Sequence, residues 1–448
     1  MHLVRFGTHA EQKYLTGDFL GTYDVLVVNA NMLAHTASAM ASFLAEPAQN
    51  KACIIDPQTH AFQHDISLLM TQGKDGKPKL RASMTKLLNI YGEPIRNKVL
   101  AERVVTPDDF ADTEVTREFA RRVGEFQEKT LFDRAEEQGL TKYYEFMGIR
   151  PLTPLAIVAP YYYMDSETFA DWLPVNVELA KACAEAFPKS QVYAELVIEK
   201  ELLYNRQAID RIVTEYGNLP VSTILLWISE FSEHNAPEDL LYFYGALIRD
   251  LGKMRPITML YGSYFSVAIM RFMQLNLTGV CHGPEYGEDR SVIPAVGGLP
   301  VSRFYYPDVH KRVRYPDAYR LVKPFLESKD AYQQNVCKCE MCREVMRENT
   351  DPDVAFGAYG KSHPVTFQRK YQVVTLDYPD PDTHDKCVRH YMWSKFREYA
   401  ETGEGQSLEG VIAQLSRTYE FYLDKAGFAE VRHCKTWTDV LRSLSQGQ

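Results

Sequence analysis

Residues 222–262 read STILLWISEFSEHNAPEDLLYFYGALIRDLGKMRPITMLYG. The run TILLWIS (223–229) is apolar at strand length, which suits a strand buried on both faces. PEDLLYFYGALIRDLG (237–252) spaces its apolar residues as a helix does, and ITMLYG (257–262) is a second apolar strand. A strand–helix–strand unit of this kind implies two parallel strands joined by a crossover helix.

The pattern extends in both directions. Upstream lie VLVVNA (25–30), ACIID (52–56), AIVAPYYY (156–163) and VYAELVI (192–198), and downstream lies LTGVCHG (277–283). Helical spacing recurs between them, in SETFADWLPVNVELAKACAEAF (166–187), AIDRIVTEYG (208–217) and FSVAIMRFMQLN (265–276). These seven strands, with an eighth expected in the irregular 60–150 segment, predict an α/β fold, a (β/α)8 TIM-type barrel rather than a doubly wound sheet. No GxGxxG or GxxxxGK[ST] follows any strand, which counts against a dinucleotide or P-loop fold. From about 330 onward strand runs become rare and helices such as SLEGVIAQLSRTYEFYLDKAG (407–427) dominate. The expected organisation is a catalytic barrel over 1–330, with an insertion around 60–150, and a metal-binding helical subdomain over 331–448 packed on it.

The composition is that of a globular protein: 448 residues, 45% hydrophobic and 24% charged. MHLVRFGTHAEQKYL at the start lacks a basic head and apolar core, and no apolar run approaches the ~20 residues that cross a bilayer. A cytoplasmic protein with no membrane partner is expected. The net charge of −9 argues against a nucleic-acid partner, but two segments run against that average. Residues 74–98 carry seven basic side chains, Lys79 and Arg81 among them, against Asp75 and Glu93. Residues 303–323 carry six, including Lys311, Arg312 and Arg314, against Asp308 and Asp317, with aromatics interleaved as a backbone-tracking surface has them. Solvated faces explain either run equally well.

In a barrel, chemistry sits on the loops that follow the C-terminal ends of the strands. Asp56 ends ACIID and is followed by Pro57, which closes the ladder; an Asp that opens a turn is the plainer reading. LTGVCHG runs into PEYGEDR, which delivers His282, Glu285, Glu288, Asp289 and Arg290 to one loop. Asp165, Glu195, Glu199, Glu230 and Glu233 are further acids at strand ends, some of them surface residues or helix starts.

NVCKCEMCRE (335–344) puts Cys337, Cys339 and Cys342 within six positions, enough for three thiolates to meet at one point. Zn²⁺ takes four S or N ligands tetrahedrally. Of His363, His384, Cys387 and His390, His390 is the preferred fourth ligand, since KCVRHYMWSKFREYAE (386–401) forms an amphipathic helix with a stripe of Val388, Tyr391, Met392, Phe396 and Tyr399. A closed Cys3His shell leaves no place for substrate, so this zinc is structural; an iron–sulfur cluster is the rival. The other cysteines, Cys53, Cys183, Cys281, Cys387 and Cys434, read as small buried hydrophobes.

A barrel followed by CxCxxC and a later helical His resembles the tRNA-guanine transglycosylase superfamily, over roughly residues 20–400. Cys337, Cys339, Cys342 and His390 match its zinc ligands, and DPQTHAFQ, with Asp56, Phe62 and Gln63, is similar to its Asp-Ser-Gly-Gly-Phe-Gln. The chain departs from the pattern in two extra residues between Asp56 and Phe62, a longer gap from Cys342 to His390, and HGPEYGEDR in place of Asp-Cys-Val-x-Pro-Thr-Arg. With these departures it looks like the DNA-modifying, DpdA-type branch, which inserts 7-cyano-7-deazaguanine (preQ0) into DNA. The resemblance implies replacement of guanine through a covalent glycosyl-enzyme, with Glu285, Glu288 or Asp289 as nucleophile and Asp56 as acid/base partner. It further implies base contacts by Phe62, Gln63, Glu199, Glu230, Glu233 and His282, and phosphate contacts by the two basic runs around a flipped or unpaired guanosine. DNA, the 7-deazaguanine base and a duplex-opening helper protein are the implied partners. A tRNA enzyme of the same superfamily and a non-catalytic, zinc-stapled subunit are the alternatives.

Overall fold

The computed structural model describes residues 1–73, 76–148, 152–285, 287–293, 301–369, 372–402, 405–423 and 428–446. The chain divides into two compact units. The first comprises Met1–Ser232, Phe243–Gly262 and Gln274–Pro294, and the second Glu233–Tyr242, Ser263–Met273 and Ala295–Gln448.

The first unit holds an eight-stranded sheet. In chain order its strands are β1 (His2–Phe6), β2 (Val25–Asn29), β3 (Ala52–Asp56), β4 (Ile157–Val158), β5 (Val192–Glu199), β6 (Thr223–Ser229), β7 (Ile257–Met259) and β8 (Leu277–His282). They pair as β3-β2-β1-β8-β7-β6-β5-β4, every pair parallel. Leu155 N donates to Cys53 O at 2.7 Å, joining the two ends of this order, so the sheet is a nearly closed barrel. Helices follow the strands in the chain, including α1 (Ala30–Ala45), α2 (Thr113–Glu137), α3 (Phe169–Ala186), α4 (Arg206–Gly217), α5 (Glu238–Gly252) and α6 (Tyr264–Phe272), of which α6 and the first turn of α5 belong to the second unit.

The eighth strand corrects the sequence reading. It is β1, at the start of the chain, and the 60–150 segment supplies no barrel strand among the described residues. That segment forms a short hairpin, Met70–Gln72 with Pro78–Leu80, and helices such as α2. HLVRF lacks the uninterrupted apolar run because Arg5 sits in its middle, and Arg5 is buried in the barrel.

Alternation along the strands divides the side chains between the two faces of the sheet. Leu3, Val25, Val27, Ile54, Val158, Tyr193, Val197, Leu225, Trp227 and Cys281 share one core cluster inside the barrel. By the same alternation Arg5, Asn29, Asp56 and Glu195 occupy inward positions.

In the second unit, β9 (Arg303–Tyr306) pairs with β10 (Lys311–Arg314), and β11 (Ser362–Arg369) with β12 (Gln372–Pro379). The second hairpin is longer than a helix-dominated reading of this region implies. Its alternating polar and β-branched residues are exposed or half-buried, so it leaves no apolar run in the sequence. Helices α7 (Glu340–Glu348), α8 (Pro381–Glu401), α9 (Leu408–Leu423) and α10 (Phe428–Gln446) complete the unit. No helix among the described residues is long and apolar enough to cross a membrane.

Candidate active site and metal centre

Asp56 closes β3 inside the barrel and is 1% exposed. Arg5 reaches it from β1, donating to Asp56 Oδ2 and, at 2.9 Å, to Asn29 Oδ1 at the end of β2. Asp56 Oδ1 accepts from Gln58 N at 2.9 Å and from the Tyr161 hydroxyl at 2.7 Å. The turn that follows is tight. Gln58 takes a left-handed φ of 54°, which a non-glycine residue holds only where its surroundings enforce it. Thr59 does much of the enforcing: its hydroxyl donates to Tyr161 O and accepts from Tyr161 N at 2.9 Å, which clamps Tyr161 beside Asp56.

His60 extends this chain of contacts. Its Nδ1 lies 3.0 Å from the Tyr161 hydroxyl, and its ring meets Trp227 edge-on at 5.1 Å. Burial pushes the imidazole down to about 3, so His60 is neutral at neutral pH. Since Tyr161 gives its proton to Asp56, His60 donates to Tyr161 from Nδ1. Burial alone would raise Asp56, but the Arg5 guanidinium, together with the Tyr161 hydroxyl, more than offsets this and holds the carboxyl below its usual range.

Glu195, on β5, has the opposite character. It is 1% exposed, and neither carboxylate oxygen has a hydrogen-bond partner among the described residues. Burial, and then repulsion from Asp56, push its carboxyl well above the usual range. The barrel therefore holds two interior acids shifted in opposite directions, Asp56 downward beside Arg5 and Glu195 upward where it is enclosed. Glu195 was legible only as one of several acids near strand ends. Its inward position in VYAELVIE was a possible signal, since an acid in the middle of an otherwise apolar strand must be buried with a purpose or neutralised.

The loop after β8 enters this site through Arg290. Its Nη1 donates to the Tyr261 hydroxyl at 3.1 Å, and its carbonyl accepts from Trp227 Nε1 and from Glu230 N, both at 3.1 Å. Arg5 lies over the other aromatic wall, 5.2 Å from the Tyr261 ring centre. In the same loop, Gly283 and Gly287 exchange backbone hydrogen bonds across Glu285; Glu285 and Glu288 are half-buried and Asp289 is exposed. Tyr286 lies outside the described residues.

The other expected site residues are distributed as follows. Phe62 is fully buried. The Gln63 amide pairs with the backbone of Tyr163, its Nε2 donating to Tyr163 O at 2.9 Å and its Oε1 accepting from Tyr163 N at 2.7 Å. Glu199 accepts from Ser166 N and Oγ at 2.9 and 2.7 Å. Glu230 is exposed, with a φ of 57°, and accepts from Ser291 Oγ at 3.1 Å. His282 lies on β8 on the face opposite Cys281; it stacks on His2, with their Nε2 atoms 2.7 Å apart, and so is not brought to Asp56. Glu233, in the second unit, accepts from Ser266 N at 3.2 Å and from the Ser263 hydroxyl, and so caps α6.

The basic residues differ in availability. Lys79 and Arg81 are exposed on and beside the Met70–Leu80 hairpin, and Lys74 lies outside the described residues. In the second unit Lys311 pairs with Glu430 at 2.9 Å, and the Arg312 guanidinium lies 3.5 Å over the Tyr391 ring centre. Arg314 is exposed. If this strand meets nucleic acid, Arg314→Ala should lower the slope of log affinity against log salt by about 1, the share of one phosphate contact. Arg312→Ala should instead cost about 0.5–2 kcal/mol of stability through the lost stack. Salt-titrated filter binding and urea melts separate these outcomes.

The metal-type cluster is in the second unit. Cys337, Cys339, Cys342 and His390 are all buried, and their ligand atoms lie within 4.8 Å of one another. His390 Nδ1 is 3.3 Å from Cys339 Sγ, 3.3 Å from Cys342 Sγ and 4.0 Å from Cys337 Sγ. Ligands about 2.0–2.3 Å from a tetrahedral ion sit roughly 3.5–3.8 Å apart, so the four residues fit a metal. His390 Nε2 donates to Tyr305 O at 2.6 Å, which leaves Nδ1 as the ligand nitrogen, and Phe304 stacks on the ring at 4.2 Å. The Tyr332 and Tyr359 hydroxyls lie 3.0 and 3.2 Å from Cys342 Sγ. His363 is exposed and paired with Asp380. The five remaining cysteines are buried, as expected, and burial raises each thiol to about 12.

No model of a known protein family matches the chain, and no curated protein matches it.

Proposed function

We propose that the chain is a guanine transglycosylase of the DNA-modifying, DpdA-type branch of the tRNA-guanine transglycosylase superfamily, built on a (β/α)8 barrel with a structural zinc at Cys337, Cys339, Cys342 and His390. The observation that carries this reading is the pair of interior acids, Asp56 paired with Arg5 and Glu195 enclosed without a hydrogen-bond partner among the described residues, beside the aromatic walls Trp227 and Tyr261. Two carboxyls set apart by their surroundings divide acid and nucleophilic or electrostatic roles. The Cys3His cluster later in the chain, in the order the superfamily uses, supports the same reading. Three thiolates and an imidazole favour zinc.

In the proposed exchange a carboxylate attacks C1′ of the deoxyribose, a C–O bond forms as the C–N bond to guanine breaks, and the departing guanine nitrogen takes up a proton. The incoming 7-cyano-7-deazaguanine then gives its ring N–H proton to the Glu195 carboxylate left by the first step and displaces the ester carboxylate, forming a C–N bond as the C–O bond breaks. Glu195 supplies the proton, because it is the acid held neutral. Asp56, locked as an anion by Arg5, stabilises the positive charge that develops on the sugar, and Glu285, Glu288 or Asp289 forms the ester. This modifies the expectation that Asp56 exchanges protons. The guanosine reaches the barrel unpaired or flipped from the duplex.

Labelled guanine incubated with the protein and, in turn, duplex DNA, single-stranded DNA and bulk tRNA tests the reading. Label should enter DNA. Label entering tRNA alone moves the assignment to the RNA enzymes, and label entering neither, even at high enzyme, rejects catalysis by this chain alone.

The raised Glu195 carboxyl has a consequence for stability. A carboxyl whose folded pKa is raised contributes stability below its unfolded pKa and loses it as pH rises towards the folded value. Through this residue the wild-type fold should lose stability as pH rises from the ordinary glutamate range towards the raised folded value. Glu195→Gln, which cannot ionise, should therefore gain on wild type in thermal melts from pH 5 to 7. A constant difference across that range would show Glu195 ionised in the fold.

A further inference from the structure

The second unit contains a cavity of about 500 Å³ lined by, among others, Asp308, His310, Lys338, Arg343 and Arg397. Its size is that of a small-molecule site. One wall is a buried polar cluster. Glu398 accepts from His310 Nδ1 at 2.7 Å and from the Tyr305 hydroxyl, and forms an ion pair with Lys395 Nζ at 2.8 Å. Burial alone would raise the Glu398 carboxyl, but Lys395 and His310 outweigh it and bring it down to about 2. Tyr264 lies flat against the His310 ring, 3.5 Å between centres and 5° between planes.

This arrangement fixes the imidazole and leaves its other nitrogen with nothing to bind. His310 is 6% exposed, and Nε2 is buried without a hydrogen-bond partner among the described residues. A desolvated, unsatisfied ring nitrogen destabilises a fold and in native proteins calls for an explanation. The backbone at His310 is also held in the left-handed region, at φ 53°, where a His is uncommon.

The charges around the cavity are bipolar. Asp308 and His310, on the turn between β9 and β10, present hydrogen-bond acceptors or an imidazole edge. Lys338 and Arg343, at the start of α7, present cations; Lys338 makes no ion pair among the described residues, and Arg343 reaches Glu340 only at 3.7 Å. Of the other acids, Glu401 is held by Arg397 at 3.0 Å, and Glu398 is engaged by His310, Tyr305 and Lys395 as above. A ligand that fits is anionic at one end and carries hydroxyl or N–H groups at the other.

We infer that this cavity binds a sugar phosphate, free or as part of a nucleotide, with the phosphate on Lys338 and Arg343 and a hydroxyl or N–H on His310 Nε2. The site is independent of the barrel chemistry. Calorimetric titration of the full chain with ribose 5-phosphate, guanosine monophosphate, guanosine and inorganic phosphate tests it. Ribose 5-phosphate should bind saturably, and at least about tenfold more tightly than inorganic phosphate. Guanosine monophosphate binding while ribose 5-phosphate does not would narrow the ligand to nucleotides. Lys338→Gln, at an exposed position, should weaken binding about tenfold with an unchanged melting temperature. His310→Asn, which tolerates the left-handed backbone, should weaken it as well. The inference fails if neither phosphate ester saturates the protein, if guanosine binds as tightly as its monophosphate, or if Lys338→Gln leaves affinity unchanged.

Discussion

Asp56→Asn is expected to lower guanine exchange by roughly 10²–10³-fold, the range typical of losing one preorganised electrostatic stabiliser. The change keeps the shape of the side chain but removes the anion that faces Arg5, so stability should fall too. A buried ion pair broken on one side costs about 3–5 kcal/mol, because the remaining charge stays desolvated. The two losses are separable. Arg5→Met combined with Asp56→Leu removes both charges and fills similar volume, and replacement of a whole buried pair is often neutral or stabilising. The double variant should melt near wild type and remain inactive. Recovery of exchange together with stability would show that Asp56 serves the fold alone.

Loss of a metal ligand should have the second large effect. Structural zinc sites couple binding to folding, with apparent energies of about 10–16 kcal/mol in small zinc peptides. Cys342 is the informative position, since Tyr332 and Tyr359 both approach its sulfur and Cys337, Cys339 and Cys342 share one core with Phe304 and Phe356. Cys342→Ser should bind less than one equivalent of zinc and unfold at markedly lower temperature, and prolonged chelation of the wild type should do the same. Elemental analysis gives the stoichiometry, and near-ultraviolet circular dichroism follows the aromatic cluster around His390. A visible absorption band with iron and sulfide would assign a cluster in place of zinc. Full stability and tight packing after complete removal of metal would reject a structural role.

The candidate site was legible to different degrees. The metal ligands were plain because three are neighbours in NVCKCEMCRE and the fourth lies on an amphipathic helix, both local patterns. Asp56 was legible because an acid ending an apolar strand is a local pattern too. Arg5 was not, since a cation inside a five-residue strand reads as surface until its partner, 51 residues on, is brought against it. The same holds for Gln63, His282 and Arg312, whose side chains are engaged by Tyr163, His2 and Tyr391.

The sequence by itself determined what depends on near neighbours: seven of the eight barrel strands, the amphipathic helices between them, and the clustering of three thiols. Hydrophobic periodicity and short-range ligand spacing act over a few residues, so they are visible in the string. The tertiary structure alone decided what depends on field and burial. It placed β1 between β2 and β8, lowered the Asp56 carboxyl by setting Arg5 against it, and raised that of Glu195 by enclosing it near Asp56. Charge states inside a barrel are set by desolvation and by partners from other strands, and neither exists until the sheet has nearly closed.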